Sequence, residues 1–228
     1  MKAQAIVFCV FAASACASSP NESATTVTSS SVQLAAAGRV DDAASIVHGL
    51  SDAVPESVLQ SARCVIAVPS LVGGGFIVGA EHGRGFASCR TASGWSAPAP
   101  VTVSGGTFGP QVGVESADVL MLVMTDDAKN KLLQNQLDVG GDISAAAGPV
   151  GKGAGEDFNH HAAMLTYSRS RGLYAGVDLT GVVLHQDDES TRALYGGNVL
   201  PAQSLLTGQV GAPAATRPFI SAVSSVFR

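Results

Sequence analysis

The chain reads as an α+β domain built on an antiparallel, glycine-rich β-sheet or partial barrel flanked by a few helices. Three observations predict this. Short β-branched runs separated by turn residues fill the middle of the sequence, and helical periodicity is confined to an N-terminal stretch and two short interruptions. Glycine contributes 26 of 228 residues, enough to permit turns, bulges and close strand approach throughout the sheet. Strand and helix do not alternate regularly, so a parallel βαβ architecture is not expected.

Residues 1–15 carry a basic Lys2, an apolar run and small residues, which is the pattern of a secretory signal; the run is too short to cross a bilayer. "Ala13-Ser14-Ala15-Cys16" resembles a bacterial lipobox, in which Cys16 becomes the diacylated first residue of the mature chain. Ala17 in the next position, where Asp would redirect sorting, points to an outer-membrane lipoprotein facing the periplasm. The Ser/Thr-rich segment that follows offers little to bury, so residues 16–37 read as lipidated N-terminus and flexible tether, and residues 38–228 as one domain.

Within that domain, Val40, Ala43, Val47, Leu50 and Val54 recur at helical spacing, with Asp41, Asp42, Ser45 and Asp52 on the other side. The acidic outer face favours packing on the domain over lying in lipid. Pro55 can open a second short helix over 56–62. "CVIAVPS" then begins the strands; "FIVGA" and "RGFASCR" flank a glycine turn and predict a hairpin, followed by "PVTVSGG", "PQVGVES" and "DVLMLVMT". A helix is expected over 126–135, strands at "DISAAAG", "AAMLTYSRS" and "GLYAGVDLTGVVLHQ", and a helix over 187–196 that opens on Asp187-Asp188 as its N-terminal cap.

Composition and motifs exclude several chemistries. A net charge of −5 lacks the basic footprint that nucleic acid requires. "GPVGKGAG", 148–155, has Gly153 where a P-loop needs Ser or Thr, and "GRGFAS", 83–88, lacks the third glycine and the following helix of a dinucleotide fingerprint. His48, His82, His160, His161 and His185 fall in no zinc spacing, and no G-x-S-x-G elbow occurs. No cofactor, metal or catalytic residue is therefore expected. A hydrolase assembled from distant residues stays open as an alternative.

Two candidate features remain. Once Cys9 leaves with the signal and Cys16 takes lipid, Cys64 and Cys89 are left in an oxidising compartment, either as a disulfide or as two buried thiols. Arg169 and Arg171 project from one strand face beside an expected hairpin at Arg171-Gly172, and with Tyr167 they could receive a lipid phosphate or an acidic partner. The alternative is an ion pair with Asp187, Asp188 or Glu189. With Arg84 and Lys152, these residues make up the candidate ligand-binding set.

The blocks "RCVIAVPSLVGGGFIVGAEHGRGFASCR", "GWSAPAPVTVSGGTFGPQVGVESADVLMLVM", "SAAAGPVGKGAGE", "LTYSRSRGLYAGVDLTGVVLHQDDESTRALYG" and "RPFISAV" resemble, in order and spacing, bacterial members of the Ysc84/SYLF family. The resemblance implies a single lipid-binding domain without a catalytic centre, whose eukaryotic relatives associate with phosphoinositide membranes and, in yeast-type members, with actin. Many relatives carry a lysine where this chain has Gly73, and of the basic residues near the "GAEHGRG" turn only Arg84 is kept. The expected partner is membrane lipid or another apolar ligand; a structural or protein-interaction module of the envelope is the alternative.

Overall fold

The computed structural model describes residues 22–135, 137–149, 162–170, 173–175 and 181–228. Helix α1 (Glu22–Ser51) begins well before the expected start at residue 40 and ends three residues before 54, at a turn. Ala35, Ala36 and Ala37 are strong helix formers that carry the periodicity backwards. Ala36, Val40, Ala43, Val47 and Leu50 are buried, while Asp41, Asp42 and Ser45 are exposed, so the helix lies with its acidic side outward. Helix α2 (Glu56–Ser61) follows directly on Pro55.

Three β elements come next: β1 (Cys64–Thr91), the two-residue β2 (Gly94–Trp95) and β3 (Ala99–Val123). Helix α3 (Asp126–Leu133) is capped by Thr125, whose hydroxyl accepts from the Ala128 amide, and β4 (Leu137–Val139) and β5 (Ala145–Ala147) follow it. Strands β6 (Met164–Ser170) and β7 (Leu173–Ala175) pair antiparallel across the expected hairpin, whose turn residues lie outside the described set. Strand β8 (Val182–Gln186) leads into helix α4 (Asp188–Leu194). Two C-terminal helices close the chain, α5 (Ala202–Leu206) and α6 (Arg217–Val226).

Among the described residues the strands make one eight-stranded sheet, with β3 flanked by β1 along its length, by β6 at one end and by β8 at the other. Strand β4 pairs β8 and β5 pairs β6, the latter in parallel. The outermost strands β4 and β5 are consecutive in the chain and are linked through a Val139–Ile143 bridge, so the sheet nearly closes into a barrel. Alternation along each strand feeds two cores. Cys64, Ile66, Val68, Val101, Val103 and Met121 pack with Leu132 of α3 and Leu205 of α5. Val65, Ala67, Phe86, Leu120 and Leu122 pack on the other face with Val47 of α1 and Phe219 of α6.

The hairpin predicted around "GAEHGRG" needs correction. Residues 79–85 stay in the ladder, from Gly79 opposite Thr107 to Gly85 opposite Val101, and no turn interrupts them. The β1–β3 ribbon nonetheless doubles back as a whole. A stretch of 25 residues fully extended would span roughly 80 Å, yet the Cα atoms of Cys64 and Cys89 are 3.9 Å apart and their sulfurs are bonded at 2.04 Å. The Arg90 amide donates to the Arg63 carbonyl, and a Cβ on Gly85 would sit 2.1 Å from the Ala67 carbonyl oxygen. A register shift between Phe76 and Ile77 falls midway between the two cysteines. The reversal is thus a bend of both strands just after Gly73-Gly74-Gly75. A local turn six residues later is not needed.

Candidate functional site

The described members of the candidate ligand set do not converge. Arg84, opposite Thr102 on the β1–β3 ladder, reaches the start of α4, with Nη1 3.0 Å from Glu189 Oε2 and Nε 3.6 Å from Asp187 Oδ2. Asp187 is the cap of that helix: its Oδ1 accepts from the Ser190 amide at 3.0 Å and its Oδ2 from the Ser190 hydroxyl at 2.7 Å. Arg39 of α1 donates to the same hydroxyl oxygen at 2.7 Å. Burial pulls the Arg39 guanidinium below its ordinary pKa, and the charge of Asp187 partly restores it. The cluster binds α1, β1 and α4 together.

Arg169 has a different partner from the carboxylates of α4. It lies directly across the β3–β6 ladder from Asp118, with Nη2 3.2 Å from Oδ2. Asp118 Oδ1 also accepts from the amide of Ser70, which has a positive φ of 49° at the register break between Val68 and Leu71. One carboxylate therefore steadies an irregular strand position and neutralises an arginine. Tyr167 shares that strand face but is only 2% exposed, packed in the core beneath α1. Its ring covers Gly148, where a Cβ would fall 2.1 Å from Cζ, so only glycine allows this approach. The Tyr167 hydroxyl makes no hydrogen bond among the described residues, and burial raises its pKa well above the ordinary tyrosine value. Lys152, Arg171 and Cys16 lie outside the described residues.

Sequence reasoning passed over the base of the ribbon. Arg90 donates to the carbonyls of Ala62 at 3.0 Å and Leu59 at 3.3 Å, satisfying the C-terminal end of α2. Its guanidinium lies 4.8 Å from the centroid of Trp95, whose Nε1 donates to the Phe227 carbonyl at 3.2 Å. Arg90 next to Cys89, followed closely by the chain's single tryptophan, was the available signal.

The opposite end of the ribbon differs in composition. Strand β8 leaves β3 at Gly105 and β6 joins it at Asp118, so residues 106–117 of β3 pair only with β1 among the described strands. Residues 72–80, "VGGGFIVGA", and 106–114, "GTFGPQVGV", contain no charged side chain, and Val72 is 45% exposed. The bounding charges are Glu81 and Glu115. No helix among the described residues is long and apolar enough to cross a membrane.

Comparison with known proteins then identifies the group. The family model Ysc84, described as "Las17-binding protein actin regulator", matches residues 104–226. An SH3 domain-containing protein of Schizosaccharomyces pombe is 34% identical over 183 residues, 78% of this chain and 42% of that protein. The chain belongs to the Ysc84 family. LAS seventeen-binding protein 3 of Saccharomyces cerevisiae is 31% identical over 78% of this chain and 40% of its own length. The SH3 domain-containing YSC84-like protein 1 of Xenopus laevis is 32% identical over 73% of this chain and 50% of its own. The chain thus spans half or less of the length of these relatives.

Proposed function

We propose that this Ysc84-family chain is a non-catalytic, lipid-binding domain held at a bilayer by acylated Cys16, as an outer-membrane lipoprotein facing the periplasm, with membrane lipid or a similar apolar molecule as its ligand. The observation that carries the reading is the uncharged sequence of residues 72–80 and 106–114, over which β3 pairs with β1 alone among the described strands. Arg84 is paired with Glu189 and Arg169 with Asp118, so within the candidate set Lys152 and Arg171 are left for a headgroup phosphate. The Cys64–Cys89 bond supports an oxidising compartment.

A protein-interaction role is the second reading, favoured by the family description and by the yeast relative's name, both of which specify a protein partner. Flotation of residues 22–228 with neutral and anionic vesicles separates the two. Lipid binding predicts protein in the floated fraction; a domain that stays at the bottom with both compositions fits only the second reading. Mass spectrometry of the mature N-terminus tests the anchor, with unmodified Cys16 the contrary result.

A further inference from the structure

We infer that the base of the ribbon is a phosphate-binding site, formed by Arg63, Arg90 and Lys129 beside Trp95, which receives the phosphate group of a lipid headgroup or of a free phosphate anion. These residues lie outside the candidate ligand set. For its membrane arm the inference rests on the lipid-binding reading above, and the free-phosphate arm of its test stands apart from that reading. The three basic residues meet at one peptide. The Arg90 amide donates to the Arg63 carbonyl at 2.8 Å, and Lys129 Nζ donates to the Arg90 carbonyl at 2.9 Å.

Positive charge is left over at this peptide. Arg90 uses Nε and Nη2 on the carbonyls of Ala62 and Leu59, and its Nη1 has no hydrogen-bond partner among the described residues. In that set neither Arg90 nor Lys129 has a carboxylate in ion-pair contact. Arg63 meets only Asp126, at 3.3 Å with both side chains exposed, a weak pair that leaves the guanidinium open to an incoming anion. Burial and the like charge of Arg63 both pull the Arg90 guanidinium below its ordinary pKa, and an anion beside the two would relieve that repulsion. Guanidinium and ammonium donors suit phosphate oxygens. Half-buried Trp95, stacked on Arg90, adds the aromatic side chain favoured at a membrane interface.

The path of α1 turns this end of the domain towards the proposed anchor. Arg39 donates to Ser190, beside the cap Asp187, whose amide donates to the Pro100 carbonyl near the start of β3. Further along the helix, a Cβ on Gly49 would sit 2.8 Å from Arg169 Nη1, and Arg169 lies opposite Asp118, farther from the base. Helix α1 therefore runs away from the base, and its first half, where Leu34 is 77% exposed, projects on the base side. Glu22 follows Cys16 closely in sequence, so an acyl chain on Cys16 would hold the base towards the bilayer.

Trp95 is the chain's single tryptophan and touches Arg90, so its fluorescence reports the site. The test takes residues 22–228, which include every described residue, through a titration with inorganic phosphate against chloride at matched ionic strength. The same protein is floated with phosphatidylcholine vesicles, with and without phosphatidylglycerol. Phosphate should change Trp95 fluorescence saturably, and phosphatidylglycerol should raise partitioning roughly tenfold above that on phosphatidylcholine, an increment that salt removes. Arg63→Gln with Lys129→Gln, at side chains that belong to neither core, should keep the native circular dichroism spectrum and lower both responses about tenfold. Arg192→Gln with Arg217→Gln removes the same charge from exposed positions on α4 and α6 and should change neither response. A phosphate response without a vesicle preference assigns the site to free phosphate, and a vesicle preference lost with Arg63 and Lys129 assigns it to headgroups. Absence of both responses, equal losses in the two double variants, or a native-like Arg63 and Lys129 variant with both responses unchanged would overturn the site. Failure to bind any vesicle with the phosphate response intact removes the lipid reading alone.

Discussion

Breaking the Cys64–Cys89 bond should cost the domain about 3.5 kcal/mol. The bond closes a loop of 25 residues, and the chain entropy such a cross-link removes from the unfolded state corresponds to about 3.5 kcal/mol at room temperature. Reduction is the cleaner perturbation, because both sulfurs remain in a site where each cysteine is fully buried, and no cavity is opened. The assay is urea unfolding of residues 22–228, oxidised against reduced, followed by circular dichroism. The reduced midpoint should fall with little change in slope, and the thermal midpoint by about 10 °C for a domain of this size. Since neither sulfur meets solvent, reduction without denaturant should be slow and limited by opening of the domain. Oxidised and reduced forms within about 1 kcal/mol of each other would refute the reasoning. The doubled ribbon would then be held by its strand pairing and cores alone.

Four other substitutions probe further contacts. Gly85→Ala places a Cβ 2.1 Å from the Ala67 carbonyl oxygen, and the forced separation of the two halves of β1 should cost about 2–3 kcal/mol in urea unfolding. Tyr167→Phe removes a buried hydroxyl that has no hydrogen-bond partner among the described residues, so stability should be unchanged or rise by about 1 kcal/mol. Burial lifts the pKa of Tyr167 and Tyr195 above 10.0 in the folded domain. Their stabilising contribution is complete below the unfolded value and is lost as pH rises beyond it, so unfolding free energy should decline above about pH 10. Asp187→Ala removes the cap of α4 and takes away the acceptor of the buried Ser190 hydroxyl proton, for a loss of about 2 kcal/mol. Arg84→Ala, at a side chain 38% exposed, should cost under about 1 kcal/mol.

The α+β class and several elements could be read from the sequence because their signals are local. Acidic starts marked α3 and α4, Asp187 was read as a cap, and the helical spacing of Val40, Ala43, Val47 and Leu50 matches the buried face of α1. The doubled ribbon was not legible for a physical reason. Both faces of β1 and β3 are covered, so "CVIAV" and "DVLMLV" show no alternation, and glycines that permit a bend look the same as glycines that make a turn. Helix α6 was missed although Phe219, Ala222, Val223 and Val226 recur at helical spacing behind Pro218. The arginines were recognisable as ion-pair candidates, but their partners depend on strand register. Asp118 meets Arg169 only because β3 and β6 pair as they do, and the α4 carboxylates fall to Arg84.

Partitioning of residues 22–228 onto pure phosphatidylcholine vesicles, measured by flotation at low and high salt, tests the proposal of apolar membrane engagement most directly. The account predicts co-flotation that is insensitive to salt. A domain that remains with the soluble fraction on both neutral and anionic vesicles contradicts it.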